Sequence, residues 1–258
     1  MNKNMSIMSE AEIKDEFRKL DIPFSDLHTH SVNKYTDAYE GGKMPPSSKV
    51  VDAAVKLGMS FVGISDHSYE IVRYEDLDED TILNHEFNSY EPYVNYLRRV
   101  KSTLGIPLKM GLELHVRSPE HLSKIDSYAL QNLDFVLIET FGKLDLEEVR
   151  RKLGNVTIIL AHPPIESLFG GNPDFNDVGR WLTVLKENDI FFELNRTWLK
   201  DYLEKEHLYT PFFETAKKID IAFTIGSDYH LFPQNYPKFY TTLLQVIRKY
   251  GIRNFHRF

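Results

Sequence analysis

The sequence predicts a single-domain α/β protein in which a parallel sheet closes into a distorted barrel. Seven short apolar runs alternate with segments of helical period along the 258 residues, and this alternation is typical of right-handed βαβ units. No Gly/Ser-rich linker or low-complexity stretch divides the chain. An open, doubly wound sheet is the alternative, but the glycine-rich turn typical of it is missing after the first run.

The predicted strands, in chain order, are Phe24–His30, Phe61–His67, Leu108–Val116, Phe135–Phe141, Val156–His162, Ile190–Asn195 and Ile221–His230. Helical patterns fill the gaps between them. Ser47 or Ser48 is positioned to cap the helix Lys49–Leu57, and Gly58 to end it. The other predicted helices are Phe87–Leu104, one starting at Ser118-Pro119-Glu120, Leu146–Leu153, Asn176–Asn188, Glu206–Lys218 and Thr241–Tyr250. We expect residues 1–22 to form an N-terminal helical extension and residues 23–258 to form the barrel domain.

The amino-acid composition limits the kinds of partner that we expect for this protein. A net charge of −7 and a pI near 5.8 argue against a broad nucleic-acid surface, which needs a basic face. The absence of cysteine excludes disulfides and thiolate metal sites. Residues 1–20 lack the apolar region of a signal peptide, and no run reaches the roughly 20 apolar residues of a membrane span. We therefore expect a cytoplasmic protein without a membrane partner. The sequence carries no signal for oligomeric state.

Metal-competent side chains gather at the predicted carboxyl ends of the strands. His28-Thr29-His30 ends the first strand and Asp228-Tyr229-His230 the last, and residues two apart point to the same face of a strand. Barrel enzymes place their chemistry at this end of the sheet. Six of the ten histidines fall there: His28, His30, His67, His115, His162 and His230. The other four are expected to be solvated surface residues: His85, His121, His207 and His256.

This mixture of imidazoles and carboxylates suits Zn²⁺, Mn²⁺ or Fe. A bridging carboxylate can hold two ions roughly 3.5–4 Å apart, and such a pair acidifies a water molecule and neutralises charge on a phosphoryl oxygen. Glu113 is the natural bridge because it comes from a middle strand. The chain has no Gly-x-Ser-x-Gly elbow, Walker loop or Cys-x-x-Cys motif that would predict a different chemistry.

Six short motifs follow one another along the chain: DLHTHS, ISDHSY, GLELHV, LAHPP, FELNR and GSDYH. As an ordered set, spanning about residues 23 to 232, they resemble the PHP (polymerase and histidinol phosphatase) superfamily. The resemblance implies a distorted (β/α)7 TIM-like barrel that binds up to three metals and hydrolyses phosphate esters.

The resemblance also implies which residues hold the metals. They form one complete ligand set and two partial sets: His28, His30, Glu113 and Asp228 for one ion, Glu113 and His162 for the second, and His67 and His230 for the third. Asp26 and Asp66 match no ligand, and each is either a partner that orients an imidazole or a solvent-facing or capping carboxylate. We expect two to three divalent ions (Zn, Mn or Fe) as cofactors.

The chain departs from the family pattern in two places. The family has a histidine after the fourth strand where this chain has Phe141, whose ring cannot bind metal. Glu139 lies on the same strand face and is either a substitute ligand or a structural carboxylate. The segment Ser31–Pro46 lacks a histidine that the family uses for the third metal. It offers these possible substitutes: Tyr35, Asp37, Tyr39 and Glu40.

Three further residues are candidate catalytic groups. His115 lies on the same strand face as Glu113 and is a ligand, a proton donor to the leaving oxygen, or a hydrogen-bonded wall residue. Arg196 and Arg117 each follow a predicted strand, and a guanidinium group matches the oxygens of a phosphate. A surface salt bridge is the alternative role for each arginine.

These features predict a metal-dependent phosphoesterase that hydrolyses a small phosphate monoester with a metal-activated water. The expected partner is a small phosphorylated substrate rather than nucleic acid. One alternative is a degenerate barrel that binds a ligand or partner without turnover, as the missing histidines suggest. Another is an amidohydrolase-type metal hydrolase, which also begins with His-x-His. The bridging lysine of that family has no obvious counterpart here, although Lys143 is nearby.

Overall fold

The structure is a computed structural model that describes residues 6–31, 47–71, 89–104, 107–116, 119–123, 125–140, 144–163, 165, 175–229 and 236–258. The sheet contains β1 (Ser25–Asp26), β2 (Phe61–Ile64), β3 (Leu108–Val116), β4 (Phe135–Thr140), β5 (Thr157–Leu160), β6 (Ile190–Asn195) and β7 (Phe223–Gly226). Each strand pairs in parallel with the next one along the chain.

The first and last strands meet, so the sheet closes on itself. The amide of Leu27 donates to the carbonyl of Ile225 (2.9 Å), and the amide of Asp228 donates to the carbonyl of His28 (2.8 Å). Further along, Thr29 forms a parallel bridge with Tyr229. The predicted single-domain, TIM-like α/β barrel is therefore confirmed.

Helices surround the barrel. They are α1 (Glu10–Leu20), α2 (Ser47–Leu57), α3 (Ser68–Ile71), α4 (Tyr90–Leu104), α5 (Ser127–Asn132), α6 (Leu146–Leu153), α7 (Phe175–Glu187), α8 (Arg196–Glu204), α9 (Glu206–Ile219) and α10 (Tyr236–Tyr250). A 3₁₀ turn occupies Pro119–Ser123. Among the described residues, no helix combines the length and the apolar character that crossing a bilayer requires.

Strands β1 and β7 are shorter than predicted because the Asp26 side chain, rather than a neighbouring strand, accepts hydrogen bonds from two of their backbone amides. Oδ1 of Asp26 accepts hydrogen bonds from the backbone amides of His28 (3.2 Å) and Ser227 (2.9 Å), so both segments leave the regular ladder here. Helices α3, α5 and α8 are additional to those predicted. Helices α3 and α5 contain four and six residues, which is too short for a clear helical period, and the nine-residue α8 follows β6 directly, without a separating loop.

The inside of the barrel contains a cluster of buried apolar side chains. Its buried residues are Leu27, Phe61, Phe135, Leu137, Ile159, Ala161 and Phe191. The ring of Phe135 lies over Gly63 and Gly111, where a Cβ atom would overlap it. On β4, period-2 alternation carries the inward face from Phe135 through Leu137 to Glu139. The interior therefore changes from apolar to polar toward the carboxyl ends of the strands.

Helix α1 packs on the outside of the barrel against α10. Phe17 stacks on Phe24 (ring centroids 4.7 Å apart) and meets Tyr240 edge to face (5.5 Å). Ser9 caps the helix, since its hydroxyl accepts from the amide of Glu12 while the Glu12 carboxylate accepts from the amide of Ser9. The described part of the N-terminal segment is thus joined to the barrel by a buried aromatic contact.

Candidate metal centre

The structure brings six of the predicted metal ligands into one cluster at the carboxyl end of the barrel. They are His28, His30, His67, Glu113, His162 and Asp228. The cluster contains three groups of three side chains, each with ligand atoms within 4.8 Å of one another. Several predicted positions fall outside the described residues: His230, Arg117, Phe141, Lys143 and the candidates at 35, 37, 39 and 40.

Glu113 lies at the centre of this cluster. Its Oε1 is 3.2 Å from Nε2 of His28 and 3.2 Å from Nε2 of His162. Its Oε2 is 2.5 Å from Nδ1 of His67 and 3.6 Å from Nε2 of His30. Each carboxylate oxygen thus faces a different pair of imidazoles, which is the arrangement that a bridging ligand needs.

Asp228 lies beside the two histidines of the first strand. Its Oδ1 is 3.3 Å from Nε2 of His30 and 3.7 Å from Nε2 of His28. Asp228 has a φ angle of 52° and His162 one of 30°, in the left-handed region that is costly for a residue with a side chain. Such conformations persist only where surrounding structure enforces them, and they concentrate at functional sites.

Neighbouring side chains hold these two unusual backbones in place. The guanidinium group of Arg196 donates to the carbonyls of Ser227 (2.8 Å) and Asp228 (3.3 Å) and stacks over the ring of Tyr229. The indole of Trp198 donates to the carbonyl of His162 (2.9 Å). Both donors belong to α8, so this helix positions two candidate ligands.

The donor atoms of the cluster fit divalent metal ions. Nε2 of His28 and Oε2 of Glu113 are buried and have no hydrogen-bond partner of suitable geometry among the described residues. Leaving a buried polar group unsatisfied costs about 1–3 kcal/mol. Imidazole nitrogens and carboxylate oxygens are ligands for Zn²⁺, Mn²⁺ and Fe. An ion held between these atoms would supply the missing interactions.

The charged groups of the cluster shift the pKa values of His28 and Glu113 in opposite directions. Burial disfavours the imidazolium form of His28, but the carboxylates of Glu113, Glu193 and Asp228 outweigh it and raise its pKa well above 6.5. Burial likewise opposes ionisation of Glu113, yet His67 and His28 lower its pKa well below 4.5. Glu113 is therefore an anion, and its charge favours the protonated form of His28.

A second carboxylate, Glu193, contacts the ring of His28 and the backbone of His162. Its Oε1 lies 2.9 Å from Nδ1 of His28, and its Oε2 accepts from the amide of His162 (2.6 Å) and from Nδ2 of Asn195 (3.0 Å). Glu193 belongs to the FELNR motif at the end of the sixth predicted strand, but the sequence assigned it no particular role. The signal was a lone carboxylate in the otherwise apolar stretch Ile190–Leu194.

Asp26 and Asp66 both accept hydrogen bonds from backbone amides around the first strand. Asp26 is buried and accepts from the hydroxyl of Tyr236 (2.9 Å), in addition to the two amides at the β1–β7 junction. Burial raises its pKa to about 6, against the opposing effect of the Ser227 hydrogen bonds. Asp66 accepts from the amide (2.5 Å) and hydroxyl (2.8 Å) of Ser31. Both carboxylates thus shape the segment that carries His28 and His30.

His115 and Glu139 face each other at the edge of the cluster. Adjacent strands place them in register, and Nδ1 of His115 lies 2.5 Å from Oε2 of Glu139. Oε1 of Glu139 is 4.0 Å from Nε2 of His162. The structure thus places both residues, whose roles the sequence left open, beside a candidate ligand.

Arg196 lines a cavity of about 270 Å³ between α8 and α10. The other lining residues are Leu199, Lys200, Tyr229, Lys238, Phe239 and Thr242. Two donors of Arg196 bind carbonyls, the residue as a whole is exposed, and its role stays a prediction.

Two of the histidines expected at the surface are elsewhere. His121 is buried, with 2% of its surface exposed. His256 lies against the ring of Phe191 (centroids 4.1 Å apart), and burial lowers its pKa. The expectation was wrong for His121, because the 3₁₀ turn that carries it packs against β3. His256 is half-buried, because the chain end pairs with β7 through Phe255 and Phe223. His207 is exposed, as expected, and His85 lies outside the described residues.

Comparison with known proteins identifies the fold. No family model matches the chain, and no curated protein matches it significantly. Among solved structures, it is similar to a histidinol phosphate phosphatase from Lactococcus lactis subsp. lactis Il1403, in complex with Zn, L-histidinol and phosphate. The TM-score is 0.57 at 15% identity, covering 92% of this chain and 97% of that one.

Two other structures have similar barrels. A protein from Listeria monocytogenes, assigned as a histidinol phosphatase, matches with a TM-score of 0.51 and 15% identity, covering 83% of this chain and 99% of that one. A trimodular endoglucanase matches with a TM-score of 0.50 and 10% identity, covering 95% of this chain and 56% of that one. These likenesses confirm the barrel implied by the PHP resemblance. Because barrels host unrelated chemistries, function has to be argued from the site.

Proposed function

We propose that this protein is a metal-dependent hydrolase that cleaves a small phosphate monoester. The observation that carries the proposal is the position of Glu113, whose two oxygens face separate pairs of imidazoles in one buried cluster. Such a site supports hydrolysis without a serine or cysteine nucleophile. The similarity of the barrel to histidinol phosphatases supports the choice of a phosphate ester over other substrates.

The proposed ligand set follows the geometry of the cluster. His28, His30, Glu113 and Asp228 would hold one ion, and His162 a second ion together with Glu113. His67, which contacts the other oxygen of Glu113, would serve a third ion with His230. Divalent ions bound there would lower the pKa of a water molecule and neutralise charge on the phosphoryl oxygens.

Side chains of this protein would perform the remaining tasks. Glu193 keeps the proton on Nδ1 of His28, so that Nε2 presents its lone pair to the cluster. Arg196 holds the backbone of Asp228, and its N–H groups not bound to carbonyls are proposed to bind the substrate phosphate, with Arg117 as a second candidate. His115 is proposed to lie beside the leaving group, where Glu139 fixes its ring.

The test uses purified protein loaded separately with Zn²⁺, Mn²⁺ and Fe²⁺. We expect hydrolysis of p-nitrophenyl phosphate and of L-histidinol phosphate, the latter because a similar structure contains L-histidinol and phosphate. His30→Ala and Asp228→Ala should abolish activity because each removes a proposed ligand. His207→Ala changes an exposed histidine on α9 and should leave activity unchanged. Full activity in either ligand variant would contradict the mechanism.

The same preparation tests the two alternatives. Fewer than one tightly bound ion per chain, measured by inductively coupled plasma mass spectrometry, would favour a barrel that binds a ligand without turnover. Hydrolysis of amides or lactones but not of phosphate esters would favour an amidohydrolase-type enzyme.

A further inference from the structure

We infer that the cavity between α8 and α10 binds a small organic anion that carries a single flat ring, such as an aryl carboxylate. This site is separate from the candidate metal centre, because none of the six described side chains of the metal cluster lines the cavity. The inference does not depend on the proposed function.

The charge of the cavity wall carries the first step. Three of the seven described lining residues are cations, Arg196, Lys200 and Lys238, and none of the seven is acidic. The chain as a whole has the opposite balance, with 38 acidic and 31 basic residues. A concave surface with charges of one sign raises the local concentration of ions of the other sign. The cavity is therefore suited to an anion, although the protein has a net negative charge.

The three cations have few competing partners. Among the described residues, no ion pair engages the ammonium group of Lys238. Lys200 lies 3.7 Å from Oε2 of Glu204, but its side chain is 75% exposed, and surface pairs of this kind contribute little stability. Arg196 is already held by two backbone carbonyls, so it forms a fixed part of the wall. Lys200 and Lys238 thus supply positive charge from the two helices that enclose the cavity.

The other lining residues favour an apolar, flat group on the same ligand. Leu199 and Phe239 are buried. The ring centroid of Tyr229 lies 6.4 Å from that of Phe239 and 4.7 Å from the guanidinium carbon of Arg196. Aromatic rings pack well against other rings. Sites for small molecules commonly combine such an apolar lining with a few polar groups that fix the orientation of the ligand.

The size of the cavity limits the ligand to a small molecule. Its volume of about 270 Å³ lies just below the roughly 300–1,000 Å³ that is typical of small-molecule sites. This volume favours a molecule with one ring and one acidic group over a nucleotide.

Fluorine NMR with p-fluorobenzoate as the probe tests the site on purified protein, before and after treatment with a chelator. We expect one probe to bind per chain, with equal affinity in both preparations. The uncharged p-fluorobenzamide should bind at least about tenfold more weakly, because it cannot pair with the lysines. Fluoroacetate, which lacks the ring, should also bind at least about tenfold more weakly.

Three variants locate the probe. Lys200→Glu and Lys238→Glu should each weaken the binding of p-fluorobenzoate by at least about fivefold, since each replaces an attractive charge with a repulsive one. Thr242→Phe leaves every charge in place but fills the cavity, so it should abolish binding. Lys218→Glu makes the same charge change at an exposed position of α9 that does not line the cavity, and it should bind as wild type does.

Circular dichroism shows whether each variant retains the fold. Absence of p-fluorobenzoate binding to the wild type would overturn the inference, as would equal binding of p-fluorobenzamide. Unchanged binding in folded Thr242→Phe, or loss of binding in His30→Ala, would place the probe outside the cavity and would also overturn it.

Discussion

Oε1 of Glu193 lies 2.9 Å from Nδ1 of His28, while Nε2 of the same ring faces Glu113. The imidazole is therefore held between two carboxylates, one at each nitrogen. This arrangement fixes the tautomer and the direction in which His28 can donate its lone pair.

We predict that Glu193→Gln weakens metal binding by about 10–100-fold, the usual effect of losing a partner that orients a ligand. The amide can no longer accept on both sides, so the contacts to His28 and to the amide of His162 compete. Affinity is measured by competition with a chromogenic chelator. Unchanged metal affinity would mean that Glu193 does not orient the ligands. The matched control is Glu214→Gln, which makes the same chemical change at an exposed position of α9.

Position 226 requires glycine because the side chains of Glu193 and His28 lie close to its backbone. A Cβ at this position would overlap the carboxylate of Glu193 and contact Cβ of His28. Gly226→Ala should therefore destabilise the protein by about 1–3 kcal/mol and weaken metal binding as Glu193 is displaced.

Gly179 on α7 provides the matched control, because a Cβ there meets only Cγ2 of Thr215 at 3.8 Å. Gly179→Ala should raise stability by about 0.5–1 kcal/mol, since alanine favours the helix. Urea unfolding of both variants measures these changes. Equal effects of the two substitutions would contradict the steric argument.

Arg196 is expected to act through the backbone that carries Asp228. Arg196→Lys cannot reproduce two directed bonds to the carbonyls of Ser227 and Asp228, so the variant should bind metal more weakly and have a lower kcat. Lys200→Ala, on the same helix and lining the same cavity, should bind metal as wild type does. A raised KM for the phosphate ester with unchanged metal affinity would instead assign Arg196 to substrate binding alone.

The metal-free protein should lose stability as the pH rises. Burial opposes the charged form of His162, but its hydrogen bond to Glu113 prevails and raises its pKa from 6.5 to about 9. A histidine whose pKa is higher in the folded state stabilises the fold fully below pH 6.5, and that contribution disappears as the pH approaches about 9.

Thermal melts of chelator-treated protein across this range test the expectation. The loss should be smaller in His162→Asn, which has no titrating group at this position. Protein saturated with metal should show no such loss, because a bound ion replaces the proton. A flat profile in the metal-free wild type would contradict the electrostatic description.

Short-range patterns were sufficient to predict the fold class and most of the ligand cluster. Alternating apolar runs predicted the seven strands, and β3 and β6 have the predicted bounds. The spacing of His28 and His30, and the position of Glu113, predicted residues that the structure brings together. These features depend on strand alternation and on the shared end of parallel strands, both of which are local or topological.

Only the tertiary structure decided how those residues pair. The curvature of the closed barrel sets His67 and His30 against one oxygen of Glu113, and His162 and His28 against the other. It also brings Glu193, whose role the sequence did not reveal, within 2.9 Å of His28. Glu113 and His162 are 49 positions apart in the chain, and His28 and Glu193 are 165 apart. Contacts over such separations depend on barrel closure and side-chain packing, for which the one-dimensional pattern holds no distance information.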